Sequence, residues 1–191
     1  MDQLGQYYNM ATTIKGTGTS TFGGAVDLGS NNLTTTGNAD VAQVITDAPY
    51  FYAYGSADQT LSASTWTKAV LDTEVHDTAS CFDNATNYRF TPNVAGYYLF
   101  NHSMRFNFTT SMTQANTIVW KNGGSSEKGQ MNLVRNQNQA FHVAGSCIHY
   151  LNGSTDYVEF YVYMAGTGTL SLNYAASNAM CWWEGILLRA A

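Results

Sequence analysis

The sequence predicts an all-β fold, a two-sheet antiparallel jelly-roll sandwich that follows an extended N-terminal segment rich in Gly, Thr and Asn. Three observations support this prediction. No apolar pattern with the 3.6-residue period of a helix runs for any length in the 191 residues. One long stretch, Gly96–Phe108, alternates between apolar and polar side chains. Turn signals separate several further short apolar stretches, which is typical of β-sandwiches.

The alternating stretch predicts the central strand of a sheet. Its even positions are aromatic or otherwise suited to a core, and its odd positions become polar after Leu99. The even positions are Tyr98, Phe100, His102, Met104, Phe106 and Phe108. This pattern indicates one buried and one solvated face. Thr91-Pro92-Asn93 forms a turn before the strand, because proline fixes its own φ angle and donates no N–H.

Further strands are predicted on both sides of the central one. In chain order they are Pro49–Tyr54, Trp66–Leu71, Ala115–Lys121, Gly129–Arg135, Gln139–Tyr150, Tyr157–Met164, Thr169–Asn173 and Trp182–Arg189. Asn122-Gly123 predicts a hairpin turn, because both residues tolerate a positive φ angle. Asn152-Gly153 and Gly166–Gly168 predict two more turns. Ser56–Ser64 is predicted to be a loop, and an acidic loop is predicted from Asp72 to Asp77.

The spacing of one residue set resembles a family signature. The set comprises Leu71, Asp77, Phe82, Phe90, Gly96, Tyr98, Phe100 and His102. It resembles the globular head of complement C1q, a jelly roll shared with tumour-necrosis-factor-like proteins, and Cys181–Leu188 resembles that family's closing aromatic-x-Gly-x-Leu strand. The chain departs from the signature at Leu71, where the family usually has Phe, and at His102, which replaces an aromatic residue. One extra residue also separates Phe82 from Phe90.

Two predicted strands are apolar or aromatic on both faces, which points to self-association. Tyr157–Met164 has a core-like face and an opposite face with three tyrosines, and Trp182–Arg189 is apolar on both sides. The resemblance implies a homotrimer built around a threefold axis. We expect its contact to include Tyr52, Tyr161, Tyr163 and Trp183. The alternative is that a loop or the N-terminal segment covers the second face within one chain.

Composition narrows the possible partners. Charged residues make up 11% of the chain, against about a quarter in ordinary proteins, while 45% of residues are hydrophobic. The net charge of −5 argues against nucleic acid as a partner, because no basic stripe is present to neutralise phosphates. No apolar stretch is long enough to insert into a membrane, and no signal peptide is recognisable at Met1–Leu4.

Catalytic and metal-binding motifs are missing from the sequence, so we expect a non-enzyme without a cofactor. The four histidines lack metal-ligand spacing, and we expect His102 to be a hydrogen-bonded core residue. The carboxylates of Asp72, Glu74 and Asp77 could bind calcium through oxygen ligands, or they could form an ordinary solvated loop. The three cysteines, Cys81, Cys147 and Cys181, cannot all pair within one chain. Cys147 and Cys181 lie in apolar strand contexts and are expected to be buried thiols.

Residues 1–45 are predicted to form an anchor or stalk segment, and residues 46–191 a jelly-roll head. Gly23–Gly37 resembles short stalk segments of bacteriophage tail-fibre and virion proteins. A flexible linker of Gly, Thr and Asn is the equal alternative. Gln6–Met10 brings aromatic side chains to the N-terminus and is a candidate docking site for another virion protein.

Two functions therefore stay open. The first is a non-enzymatic, trimeric bacteriophage virion structural protein at the particle surface, acting as a receptor-binding fibre or as a capsid decoration (cement) protein. Its partners would be its own copies, other virion proteins and a host-surface receptor. The second is a secreted C1q-like recognition module that binds carbohydrate or protein. In either case recognition is expected in loops, for which the candidate residues are Asn122, Gly123, Asn136, Asn138 and Thr167.

Overall fold

The computed structural model describes residues 48–124, 127–137, 139–174 and 180–191, with residues 127, 128 and 134–137 described by their backbone alone. Within these ranges the chain forms thirteen strands and no helix. The strands are β1 (Tyr50–Tyr54), β2 (Gln59–Leu61), β3 (Thr67–Lys68), β4 (Thr73–Asp77), β5 (Phe82–Asp83), β6 (Arg89–Phe90), β7 (Ala95–Phe108), β8 (Ser111–Lys121), β9 (Glu127–Gln137), β10 (Phe141–Asn152), β11 (Val158–Thr167), β12 (Leu170–Leu172) and β13 (Trp182–Ala190). The predicted anchor, residues 1–45, lies outside the described residues.

The strands pair into two antiparallel sheets. We call the first the front sheet. It has the order β2-β12-β7-β13-β1-β4, and β10 pairs with the other edge of β7. We call the second the back sheet. It has the order β5-β6-β11-β8-β9, and β3 pairs with β11. The prediction of an all-β, two-sheet antiparallel sandwich is therefore confirmed.

The central strand of the front sheet is β7, as the alternating sequence predicted. It hydrogen-bonds to β13 on one side and to β10 on the other. Its even side chains from Tyr98 to Phe106 are buried between the sheets, and Phe108 packs at the edge of the core. On the back sheet, β11 buries its predicted core face, which consists of Val158, Phe160, Val162 and Met164.

Stacked and edge-on aromatic rings fill the centre of the core. Phe51 lies 4.6 Å from Phe82 and 4.8 Å from Trp183, measured between ring centroids. Gly185 makes this packing possible, because a Cβ atom at this position would lie 2.6 Å from the rings of both Phe51 and Phe100. The core therefore tolerates no side chain at the middle of β13.

Trp183 belongs to this core and is 0% exposed. The prediction that it contacts a second copy is therefore wrong. Trp182 occupies the outward position and stacks on Tyr52. The error arose because β13 is apolar on both faces, so its alternation does not indicate which face points inward.

Three predictions for residues 56–77 were wrong. The predicted acidic loop from Asp72 to Asp77 contains strand β4, which pairs with β1 at the edge of the front sheet. The predicted loop Ser56–Ser64 contains β2, and the predicted strand Trp66–Leu71 shortens to β3. These strands are short and lie on or near a sheet edge. Their exposed side chains carry little alternation, which is the signal that reveals a half-buried strand.

The two ends of the sandwich are distinguished by the chain segments that lie there. At one end, which we call the base, the main chain enters at Ala48, and the backbone N–H of Leu187 donates to the carbonyl of Pro49 at 3.0 Å. The predicted Asn122-Gly123 turn is confirmed at the base, with φ angles of 55° and 65°. The opposite end, which we call the tip, carries the turn between β7 and β8. Strand β8 spans the distance between the two ends, roughly 35 Å for its 11 residues.

Candidate functional site

Large exposed apolar side chains gather on the outer face of the front sheet. Five of them, between 42% and 58% exposed, lie on the base half of β7, β10 and β13. We call them the apolar patch, and they are Tyr97, Ile148, Tyr150, Ile186 and Leu188. Alternation puts four of them there, because at least one chain neighbour of each is buried, and Leu188 lies at a register shift of β13. The rings of Tyr97 and Tyr150 make an edge-on contact at 5.4 Å.

A row of polar side chains borders the apolar patch on its tip side. The sheet register aligns one residue from each of five neighbouring strands in this row, which we call the polar belt. Its members are His76, Tyr52, Glu184, Asn101 and Ser146. The side-chain amide of Asn101 donates to the Glu184 carboxylate at 3.0 Å. Partial burial, and then the nearby Glu184 charge, raises the pKa of Tyr52.

The predicted contact residues do not form one surface. Tyr52 lies in the polar belt on the front sheet, beside the apolar patch. Tyr161 and Tyr163 lie on the outer face of the back sheet, on the other side of the sandwich. Sequence reasoning missed the residues of the apolar patch on β7 and β10. Their signal was present in Tyr97, Ile148 and Tyr150, which are apolar or aromatic side chains at the positions that alternation assigns to solvent.

Four partly exposed aromatic rings cluster on the outer face of the back sheet. We call this cluster the aromatic platform; it consists of Trp66, Trp120, Tyr161 and Tyr163. Trp120 stacks on Tyr161 at 4.0 Å between ring centroids. Trp66, from the segment before β3, lies 5.8 Å from Trp120 and 5.5 Å from Tyr163. Trp66 thus covers part of the second face of β11 from within one chain.

Charged side chains at the edge of the platform are paired. Lys68 forms an ion pair with Glu159, and its ammonium also donates to the carbonyl of Asn87 at 3.1 Å. Arg89 lies over the ring of Tyr157, 4.5 Å from its centroid. Burial, and then the charge of Glu159, raises the pKa of the Tyr161 hydroxyl. The platform is therefore aromatic and polar but close to neutral.

The acidic residues considered for calcium do not converge on one point. The Asp72 carboxylate accepts hydrogen bonds from the backbone N–H and the hydroxyl of Ser56 at 2.7 and 2.6 Å. Asp77 accepts from the backbone N–H of Phe82 at 2.7 Å, and the Glu74 side chain is exposed on β4. Within the described ranges, no three His, Cys, Asp or Glu side chains are grouped so that they could hold a metal ion.

This geometry gives Asp77 a structural role that can be tested. We expect Asp77→Ala to lower the free energy of unfolding by about 1–3 kcal/mol, because two backbone N–H groups, those of Ala79 and Phe82, lose a charged acceptor. Urea denaturation with and without calcium is the measurement, and the loss should be the same in both. A stabilisation of the wild type by calcium that disappears in the variant would contradict this role.

His102 is a core residue, as expected. Its Nε2 lies 2.8 Å from the hydroxyl of Thr117, and its ring packs at 4.7 Å against Phe160. Burial lowers the pKa of His102 to about 4, so the ring is neutral at physiological pH. The thiol of Cys181 is buried as expected, and burial raises its pKa to about 11, whereas Cys147 is only half-buried. Cys81 is buried as well.

The candidate recognition residues are divided between the two ends. Asn122 and Gly123 lie at the base, where the side chain of Asn122 accepts from the N–H of Tyr157 and donates to Asp156. Thr167 ends β11 at the tip, with its hydroxyl 2.8 Å from that of Ser111. Asn136 belongs to the tip end of β9, and Asn138 lies outside the described residues. These loops therefore do not form one surface.

The residues that the structure describes contain no helix that is long and apolar enough to cross a membrane.

Comparison with known proteins shows the fold. No family model matches the sequence, and no curated protein matches it. Among solved structures, the chain is similar to murine APRIL at pH 5.0, with a TM-score of 0.55 and 9% identity over 74% of this chain and 99% of that one. The structure of murine APRIL at pH 8.5 gives a TM-score of 0.51 at 11% identity, covering 74% of this chain and 99% of that one. The globular domain of zebrafish complement 1qA gives a TM-score of 0.47 at 13% identity, over 75% of this chain and 99% of that one. The chain therefore has a jelly-roll fold similar to that of APRIL.

Proposed function

We propose that the protein is a non-enzymatic, homotrimeric virion structural protein, whose front sheets pack against one another through the apolar patch. The patch is the observation that carries this proposal. Contiguous exposed apolar side chains on a soluble domain mark an interaction surface, and aromatic residues are enriched in interface cores. The expectation of a trimer, drawn from the C1q and tumour-necrosis-factor resemblance, supplies a symmetry that would cover the patch in every copy.

The position of the patch supports this arrangement. It occupies the base half of the front sheet, the end at which the chain enters at Ala48. Copies that associate through the patch would therefore bring the first residues of their jelly-roll heads close together. Residues 1–45 would then have three closely spaced attachment points on the particle, which raises overall affinity through avidity.

The virion assignment rests on the sequence. The stalk-like stretch Gly23–Gly37 and the low charged fraction of 11% support it. Within this assignment, the head serves either as a receptor-binding fibre tip or as a capsid decoration protein. Residues 1–45 would dock to other virion proteins, and the tip would face a host-surface receptor. Antibodies raised against the head should label purified phage particles in electron micrographs. Particles that carry none of the protein would overturn the assignment.

One observation supports the alternative function, a secreted C1q-like recognition module. The aromatic platform and the paired charged side chains at its edge have the composition of a recognition surface. Detection of the protein as a free secreted product, and not on particles, would favour this alternative. Both functions require the same non-enzymatic head.

The trimer is tested by light scattering on the full chain and two variants. We expect the wild type to have three times the 20.9 kDa chain mass. Ile186→Glu should weaken association by at least about 100-fold, because a carboxylate would be buried without a partner. Val75→Glu is the matched control: its side chain is equally exposed at 42% but lies on β4, outside the patch. A monomeric wild type, or equal effects of both substitutions, would overturn the trimer.

A further inference from the structure

We infer that the aromatic platform on the back sheet is a binding site for a neutral saccharide. It lies on the opposite side of the sandwich from the apolar patch, so it goes beyond the proposed association. The site combines aromatic rings, carboxamide side chains and a paired charge on one face of the back sheet. The aromatic rings match the apolar face of a sugar ring, the carboxamides match its hydroxyl groups, and the paired charge matches its neutrality.

The rings provide a stacking surface. Trp120 and Tyr161 form a stacked pair at 4.0 Å, and the tilted ring of Trp66 contacts those of Trp120 and Tyr163. Beneath them Ile118 is almost completely buried, although it points to the outer face of the sheet. The rings are therefore fixed against the sheet and their orientation is set in advance. Pre-ordered rings lose little conformational entropy when a ligand binds.

Polar groups lie beside the rings in register. Tyr163 on β11 aligns with Asn116 on β8, and Asn116 aligns with Asn132 on β9. Asn116 is only 4% exposed, so the accessible amide of this row is that of Asn132, which is exposed. The side chain of Gln114 lies on the same face and donates to Asn116 at 3.4 Å. A pyranose ring has an apolar face of C–H bonds and a rim of hydroxyl groups. Aromatic rings with a few oriented amides are complementary to both parts.

The paired charges beside the platform favour a neutral ligand. Two cations near the platform, Lys68 and Arg89, are already engaged by Glu159 and by the ring of Tyr157. Among the side chains that the structure describes, the platform therefore offers no free positive charge to a phosphate, and the net charge of the chain is −5. An uncharged polyol gains contacts here without breaking either pairing.

The exposed area of the platform argues against a second copy as the occupant. Its four rings are half-buried, whereas the side chains of the apolar patch on the front sheet are 42–58% exposed. A stable protein interface needs about 800 Å² from each partner. A sugar needs only one or two ring faces. In a trimer built through the front sheets, three such sites would face outward, and avidity would strengthen individually weak binding.

The experiment is a titration of the full chain with cellohexaose, maltohexaose and chitohexaose. Binding is followed by tryptophan fluorescence and by calorimetry. We expect saturable binding of at least one sugar, with a dissociation constant of about 0.1–1 mM per head, because so small a contact supports only weak affinity. Trp66→Ala should weaken it by at least about 10-fold, whereas Trp66→Phe, which keeps an aromatic face, should stay within about 3-fold.

Trp182→Ala is the matched control, since it removes a partly buried tryptophan from the outer face of the front sheet. We expect it to bind the sugar like the wild type. Light scattering on the same samples reports the association state separately, so loss of the trimer and loss of sugar binding are distinguishable. The inference is overturned if none of the three sugars binds saturably, or if Trp66→Ala and Trp182→Ala bind equally well.

Discussion

Trp183→Ala is expected to lower the free energy of unfolding by about 3–5 kcal/mol, whereas Trp182→Ala should cost about 1 kcal/mol. The two residues are adjacent in sequence and identical in type. They differ only in the face of β13 that they occupy. The comparison therefore measures burial with the residue type held constant.

The large expected effect follows from the surroundings of Trp183. Its ring contacts Phe51 at 4.8 Å, Phe100 at 5.7 Å and Phe160 at 5.8 Å. Phe51 and Phe100 belong to the front sheet and Phe160 to the back sheet, so removing the indole leaves a cavity between the sheets. Its Nε1 has no hydrogen-bond partner among the described residues, so the loss comes from packing. Trp182, by contrast, lies on the outer face and, among the described residues, stacks on one ring, that of Tyr52 at 5.9 Å.

Urea denaturation followed by near-ultraviolet circular dichroism measures both losses. All proteins must be compared at one concentration, because association would add to apparent stability. An equal loss in the two variants would contradict the assignment of faces on β13. A larger loss of stability in Trp182→Ala would mean that Trp182, and not Trp183, faces the core.

This strand also shows where sequence reasoning fails. In β7 the two faces differ in polarity, so alternation predicted the buried side chains from Tyr98 to Phe106. In β13 both faces are apolar, because one faces the core and the other belongs to the front-sheet surface with the apolar patch. Periodicity detects the strand in both cases. It identifies the inward face only where the other face is polar.

The assignment of strands to sheets was also beyond the sequence. The tyrosines of β11 were expected to join Tyr52 at one contact, but β11 belongs to the back sheet and β1 to the front sheet. Sheet membership depends on pairings between distant residues, such as Tyr161 with Ile118. Local propensity and alternation carry no information about such pairings. The turn at Asn122-Gly123 could be predicted because its geometry depends on two adjacent residues.

Acidification is expected to remove about 3 kcal/mol of stability through His102 alone. Burial lowers the pKa of His102 to about 4 in the folded chain, from an ordinary value of 6.5. Below pH 6.5 the unfolded chain therefore binds a proton that the folded chain does not accept. The stabilising contribution is complete above pH 6.5, decreases as the pH falls, and is lost below about pH 4. One pKa unit corresponds to about 1.4 kcal/mol, which sets the total.

His102→Gln isolates this effect, because glutamine does not titrate and can keep a hydrogen bond to Thr117. Between pH 6.5 and pH 4 the unfolding free energy of the variant should depend less steeply on pH, by up to about 1.4 kcal/mol per pH unit. Carboxylates such as Asp83, whose pKa is lowered by hydrogen bonds from Thr86 and Asn87, destabilise both proteins in acid and cancel in the comparison. Urea titrations at half-unit pH steps provide the slopes. Parallel slopes for the two proteins would mean that His102 accepts its proton in the folded core, in conflict with the burial seen in the structure.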